Sequence, residues 1–290
     1  MKSVEKSMLR LAGLRVQIVV RMSEWGDSVK FSESINSAHV SILNEYEFSV
    51  CLGLGVNDPK RIFGTTQGLV ETFGEERIWD TPCSENGLTG AAIGIALTGV
   101  PVILIHQRAD FSILSLDQII NNAAKWKYMF GSGSDMPLVI RAIIGQGWGQ
   151  GPTHSQVLSG MFASVPGLSV VAPSNPKNAF TSLKESIRRN APTIFLEHRW
   201  LHNTYTENFS SSDYFVGSSI ARSGSDISII AYSLGVKYAL QSAQGFHEKG
   251  VSVEVIEVVD LTNPDMLLIE KSLRKTGHVL LIDLDHEFYS

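Results

Sequence analysis

At 290 residues the chain has room for two domains, and 43% hydrophobic with 18% charged residues is the composition of a globular protein with a large core. A net charge of −5 gives no electrostatic footing for nucleic acid, and no apolar run reaches the roughly 18 residues of a membrane-spanning helix. The two cysteines, Cys51 and Cys83, form neither a CxxC pair nor a zinc spacing, which points to reduced thiols and a cytoplasmic setting.

The N-terminal segment MLRLAGLRVQIVVRM is apolar but is cut by Arg10 and Arg15. It makes a poor secretory leader, and 1–30 is expected to be an extension, irregular or a short strand-like arm. From Phe31 the pattern turns regular. SINSAHVSILNEY places Ile35, Ala38, Ile42 and Leu43 on one helical face, and FSVCLGLGV reads as a buried strand. TQGLVETFG is helical, ERIWD a short strand, and ENGLTGAAIGIALTG a helix of small residues. VPVILIH is a strand and LSLDQIINNAAKWKYMF one long helix. PLVIRAII is a strand followed by the glycine-rich loop GQGWGQGPTHSQ. LSVVAPS, NPKNAFTSLKESIRRN and PTIFLEH close the block as strand, helix and strand.

Apolar strands alternating with helices imply parallel βαβ units, so the first block, 31–200, is an α/β domain. The polar run LHNTYTENFSSSDYF reads as a linker over 201–216. A second, smaller α/β domain over 217–290 follows: DISIIAYSLG (strand and turn), VKYALQSAQGFHEKG (helix), VSVEVIEVVDL (strand), PDMLLIEKSLRKTG (helix) and HVLLIDLD (strand). That last strand lacks a covering helix, so this domain looks truncated or reliant on a partner.

Several motifs are excluded. There is no GK[ST], and neither GLGVND nor GQGWGQG completes GxGxxG. AYSLG imitates a nucleophile elbow, with Asp260 and His278 in the order of a hydrolase triad, but too little chain precedes the serine in its own domain. It reads as a tight strand-to-helix turn. More telling is WDTPCSENGLTGAAIGIALTG. Glu85 sits in the first turn of a helix that Ser84 could cap, and the dipole favours an acid there. Yet Gly87, Gly90 and Gly94 weaken that helix, which suggests close approach by a ligand or another backbone. A desolvated acid so placed could share a proton with a ligand nitrogen. His154 lies in a long glycine loop of the kind that carries function, and Phe111 offers either core packing or an aromatic wall for a ring ligand.

Together DTPCSENGLTGAAIGIALTGVPV, QRADFSILSLDQIINNAAKWKYMFGSG, GPTHSQ and PGLSVVAPSNPKNA resemble the beta subunit of thiamine-diphosphate-dependent 2-oxo acid dehydrogenases of the pyruvate, branched-chain and acetoin type. The resemblance implies an α/β fold with a parallel-sheet pyrimidine-binding domain, then a transketolase C-terminal domain. It implies thiamine diphosphate shared with an alpha subunit that carries the diphosphate and magnesium, typically as α2β2, and a lipoyl acyltransferase as a further partner. It places the protein in the cytoplasm, or the mitochondrial matrix in a eukaryote. The implied reaction forms a hydroxyalkyl-thiamine intermediate and passes the acyl group to a lipoyl acceptor. Glu85 matches the glutamate that bonds the aminopyrimidine, Phe111 an aromatic beside it, and His154 a histidine at the substrate end. Leu54, in GLGV, stands where the family carries a glutamate tied to proton communication between paired sites. Arg108 stands where an aromatic is usual, and Arg189 replaces an acidic residue near a structural cation site, so no ion is assigned there. These departures keep two alternatives open: half of a split transketolase-like or other acyl- or ketol-transferring enzyme, and a non-catalytic paralogue.

Overall fold

The structure, a computed structural model, describes residues 28–131, 135–207, 209 and 217–285. Positions 1–27 of the expected extension, and 208 and 210–216 of the expected linker, lie outside the described residues, as does 286–290. In chain order the elements are β1 Ser28–Lys30, α1 Phe31–Glu45, β2 Val50–Gly53, α2 Leu69–Phe73, β3 Ile78–Asp80, α3 Glu85–Leu97, β4 Val102–His106, α4 Ala109–Ser112, α5 Ala124–Phe130, β5 Leu138–Ile144, α6 Ser159–Ala163, β6 Ser169–Val171, α7 Pro176–Arg188, β7 Thr193–His198 and β8 Tyr205–Glu207. There follow β9 Ser218–Arg222, β10 Ile227–Ala231, α8 Leu234–His247, β11 Val253–Val258, α9 Met266–Thr276 and β12 Val279–Ile282.

Six strands form one parallel sheet in the order β3-β2-β4-β5-β7-β6. Its central strands are buried on both faces because successive side chains alternate between two apolar layers. Val102 and Leu104 join Ala92, Ile93, Ala96 and Phe162 on one side. Ile103 and Ile105 join Phe31, Ile35, Ile42, Phe180 and Leu183 on the other. Each such side chain contributes roughly 1.5–3 kcal/mol by leaving water. A charged group sits inside the second layer: Arg141 of β5 is fully buried, bonded to Glu197 of β7 at 2.5 Å, to Thr65 at 3.0 Å and to His39 of α1 at 3.0 Å. Burial alone would raise the Glu197 carboxyl, but Arg141 and His202 pull it down to about 2.

The second sheet runs β12-β10-β11-β9, parallel except for antiparallel β9. The two sheets are stitched together by backbone bonds from Ala172 to Val259 and from Leu261 to Val170, both 2.8 Å. Glu257 of β11 accepts hydrogen bonds from Ser174, Asn175 and Asn178 around the start of α7. Burial raises the Glu257 carboxyl, against the pull of those donors. Arg189 lies on Asp260 at 2.6 Å.

Three local features go beyond what the sequence led one to expect. Within the polar run Tyr205–Glu207 pairs antiparallel with β1, and Phe31 N–H bonds Thr204 O at 2.9 Å. The expected single helix over LSLDQIINNAAKWKYMF is instead a 3-10 turn at Ile113–Ser115, a π-helix over Asp117–Ala123, and α5. Close approach accompanies this widening: a Cβ on Gly167 would strike the Ala124 carbonyl, and one on Gly90 would press on Gln118. Strand β9 lies inside the expected second domain, ahead of its first expected strand, and was hidden because SSIAR carries no sustained apolar alternation.

Candidate active site

In an open parallel sheet the chain leaves two neighbouring strands in opposite directions at one point, and the crevice beyond their carboxyl ends is where ligands bind. Here β2 leads outward to β3 while β4 leads the other way to β5, so the crevice opens between β2 and β4. Each candidate site residue lies on a segment leaving the carboxyl end of a strand in this region: Leu54 after β2, Glu85 after β3, Phe111 after β4 and His154 after β5.

Glu85, Leu54 and Phe111 line one narrow slot, with Leu88, Leu104 and His106 among its other walls. Glu85 is partly exposed at the start of α3, and its carboxylate receives the Cys83 thiol at 3.7 and 4.0 Å. Ser84 occupies the N-cap position without a side-chain cap bond, and Glu85 lies in the first turn, where the helix dipole favours an acid. His106, which the sequence reading passed over as the end of a strand, is buried in the slot wall, and burial lowers its imidazole to about 4. Its Nε2 lies 3.3 Å from Thr89 Oγ1, which donates to the Glu85 carbonyl at 2.8 Å, so a neutral imidazole and the first turn of α3 hold one another. A histidine closing an apolar strand at the carboxyl edge of a parallel sheet was the signal that could have found it.

The turn carrying Leu54 is built by its neighbours. A side chain at Gly53 would collide with the Ile105 carbonyl of the adjacent strand. Gly55 has φ +81°, a left-handed conformation that suits glycine. Asp80, at the end of β3, accepts from the backbone N–H of Gly55 at 2.9 Å, Asn57 at 3.2 Å and Thr81 at 2.9 Å. Asp80 therefore fixes the turn, a role its place in IWDTP did not advertise.

Phe111 also lines a wider pocket of about 320 Å³ that holds His154, Lys60, Arg108 and Gln150. The Phe111 and His154 rings meet edge to face with centroids 5.3 Å apart. The loop bearing His154 is anchored twice. Trp148 Nε1 donates to His154 O at 2.8 Å, and Gln156 donates to the buried Asp110 carboxylate at 3.3 Å through its backbone and at 2.9 Å through its amide. QRADF and GPTHSQ are thus joined side chain to side chain. The geometry brings Glu85, Leu54, Phe111 and His154 into two adjoining chambers that share Phe111.

The apparent hydrolase triad is not assembled. Asp260 is paired with Arg189, and His278 Nδ1 faces the Thr276 carbonyl at 3.2 Å. Ser233 is fully buried at the start of α8, with φ 49°. The glycines of α3 are not all crowded by this chain: a Cβ on Gly94 would meet nothing within 4 Å. Gly87, Ala91, Gly94 and Thr98 form an exposed stripe along the helix.

Apolar walls, an aromatic edge and one carboxyl at the mouth are the groups that suit a flat heteroaromatic ring and proton exchange with a ring nitrogen. The slot itself is only about 10 Å³ within this chain, so a ring would lie at its mouth and need further walls from elsewhere. The chain is similar to known proteins over most of its length. The pyrimidine-binding domain of transketolase matches residues 27–203, and the transketolase C-terminal domain matches residues 218–289. The chain is 34% identical over 260 residues to the 2-oxoisovalerate dehydrogenase subunit beta of Bacillus subtilis, covering 89% of this chain and 80% of that one. It is 38% identical over 224 residues to the acetoin:2,6-dichlorophenolindophenol oxidoreductase subunit beta of Cupriavidus necator, covering 77% of this chain and 66% of the relative. It is 34% identical to the mitochondrial pyruvate dehydrogenase E1 component subunit beta-1 of Arabidopsis thaliana, over 87% of this chain and 71% of that one. Among solved structures, the fold is shared with a split-gene transketolase described as an inactive beta4 tetramer, at TM-score 0.73 and 20% identity over 89% of this chain and 80% of that one. Among the described residues no helix is long and apolar enough to cross a membrane.

Proposed function

This chain belongs to the family of 2-oxo acid dehydrogenase E1 beta subunits, and we propose that it supplies the pyrimidine-facing half of a thiamine diphosphate site in a heteromeric 2-oxo acid decarboxylase. The observation that carries this reading is the convergence of Glu85 and Phe111 on one apolar slot at the sheet's crevice. Thiamine diphosphate, when bound, supplies the carbon nucleophile and the electron sink for loss of carbon dioxide. The lining suits its pyrimidine on chemical grounds: a planar ring against Phe111 and Leu54, and a ring nitrogen toward the Glu85 carboxylate, which this chain contacts through the Cys83 thiol.

In this reading Glu85 bonds the pyrimidine nitrogen and moves a proton there, and Phe111 positions the ring. His154, across Phe111, receives the substrate end. His106 and Asp80 are positioning residues, acting through α3 and the Leu54 turn. Leu54 brings no carboxylate at its own position, so the proton communication between paired sites tied to a glutamate there is not expected in the assembly. The domains of this scheme are 31–200 and 217–290. An alpha-type partner holds the diphosphate and magnesium in an α2β2 assembly, and the exposed Gly87, Ala91, Gly94 and Thr98 stripe supports a helix packing closely on α3. The acyl group would pass to a lipoyl acyltransferase.

The test is co-expression with an alpha-type partner, addition of thiamine diphosphate and magnesium, and assay of 2-oxo-acid-dependent reduction of dichlorophenolindophenol with carbon dioxide release. Both are expected only with both subunits present. Stable assembly without carbon dioxide release from any 2-oxo acid would reject the reading.

A further inference from the structure

The pocket beside His154 carries positive charge that the reaction as read so far leaves unused. Arg108 is the centre of it. Its guanidinium carbon sits over Trp148, 4.5 Å from the ring centroid, and Nη2 donates to Gln150 Oε1 at 2.5 Å. Its Nη1 is buried with no hydrogen-bond partner. Trp148 is itself held by its bond to the His154 carbonyl. The fork is therefore fixed in direction, and one N–H group is left for a ligand, since a buried donor without an acceptor is costly.

The surrounding charges do not cancel Arg108. Lys60 lines the same pocket. Arg199, stacked 4.2 Å over Phe63, adds a second guanidinium close enough to disfavour the charged form of Arg108, after burial. Of the acids, Asp58 Oδ1 accepts from the backbone of Lys60 and Arg61 at 2.9 and 2.6 Å, and Asp110 holds Gln156 while favouring the charged Arg108. A planar guanidinium with a free edge matches a carboxylate or phosphate.

We propose that this pocket selects a donor substrate carrying a second oxyanion, remote from its reacting carbonyl, and that Arg108 binds it. The inference rests on the slot being the thiamine site, with the pocket as its substrate end. The remote group is assigned because a guanidinium on the carboxylate that departs would stabilise the ground state and oppose decarboxylation. A short dicarboxylic 2-oxo acid and a phosphorylated ketose share the required end.

The holo-complex is assayed with pyruvate, 2-oxoglutarate and xylulose 5-phosphate, in the wild type and in Arg108→Phe and Arg108→Lys. One anionic donor is expected to exceed pyruvate in kcat/KM by at least about tenfold, and which of the two does so separates carboxylate from phosphate. Arg108→Phe should raise its KM about tenfold or more while pyruvate moves less than about threefold, with partial rescue in Arg108→Lys. A preference for pyruvate, or an equal KM rise for pyruvate and the anionic donor, overturns the proposal. In parallel the full chain is titrated with succinate and with inorganic phosphate at constant ionic strength, reading tryptophan fluorescence next to Arg108. Saturable quenching by one of them, lost in Arg108→Phe, is expected, and no quenching by either overturns it. If the complex turns over no donor, the functional reading fails, and the titration alone decides this one.

Discussion

At the scale of single residues, the site depends on groups that orient others. Asp80 touches no expected ligand, yet three backbone N–H groups of the Leu54 turn and its own strand end converge on its carboxylate. Hydrogen bonds to a charged acceptor are worth about 1.5–3 kcal/mol each, so losing part of that set should weaken cofactor binding roughly tenfold. Calorimetry on the Asp80→Ala complex should show this rise in the Kd of thiamine diphosphate, while an unchanged Kd would mean that the turn holds itself. Glu85 and Phe111 stood out in the sequence because each lies a few residues past a strand end, and His154 because it lies in a long glycine-rich loop after one. Asp80 and His106 did not, because their roles come from contacts across neighbouring strands, which the order of the chain does not reveal.

At the scale of elements, the central strands were legible because burial on both faces leaves an unbroken apolar run, as in VILIH and PTIFL. The sheet also contains what that pattern hides. Arg141 within LVIRAII and Glu197 at the end of PTIFLEH are both fully buried and pair across β5 and β7. Removing one member leaves the other charge without its partner in the core. Arg141→Met is expected to destabilise the protein by about 3–5 kcal/mol in urea unfolding. Arg141→Met with Glu197→Leu should recover most of that loss, because no buried charge of the pair remains. Equal losses in the single and double variants would show that the pair contributes through packing instead. The π segment from Asp117 to Ala123 was not legible, since its residues have ordinary helical spacing and its widening accompanies packing against α3.

At the scale of the molecule, two α/β units followed from the alternation of apolar runs and helices, whereas the crevice, which depends on strand order, and the seam between the sheets did not. The seam is made by backbone bonds around Val170 to Ala172 and by polar side chains gathered on Glu257, neither of which has a sequence period. Proton linkage is another property of the whole fold. Burial holds His39 at about 3 and His106 and His198 each at about 4. These imidazoles stay neutral when folded, while the unfolded chain protonates them below about pH 6.5, so stability falls as pH drops from there toward about 4. Each should cost roughly 2 kcal/mol by pH 5. The low carboxyl of Glu197 adds its own loss only below the ordinary carboxylate range, between about pH 4.5 and 2. Urea midpoints at pH 7 and pH 5 should therefore differ strongly, and a flat profile would mean that these histidines are solvated in the folded protein.

The central claim is that Glu85 moves a proton on a bound thiamine pyrimidine. It is tested most directly by the rate of hydrogen–deuterium exchange at the thiazolium carbon of thiamine diphosphate in the assembled complex. Glu85→Gln is expected to slow that exchange by about 100-fold or more, the range of a general acid–base contribution, while the cofactor stays bound. Exchange at the wild-type rate in a Glu85→Gln complex that retains its cofactor would contradict the account.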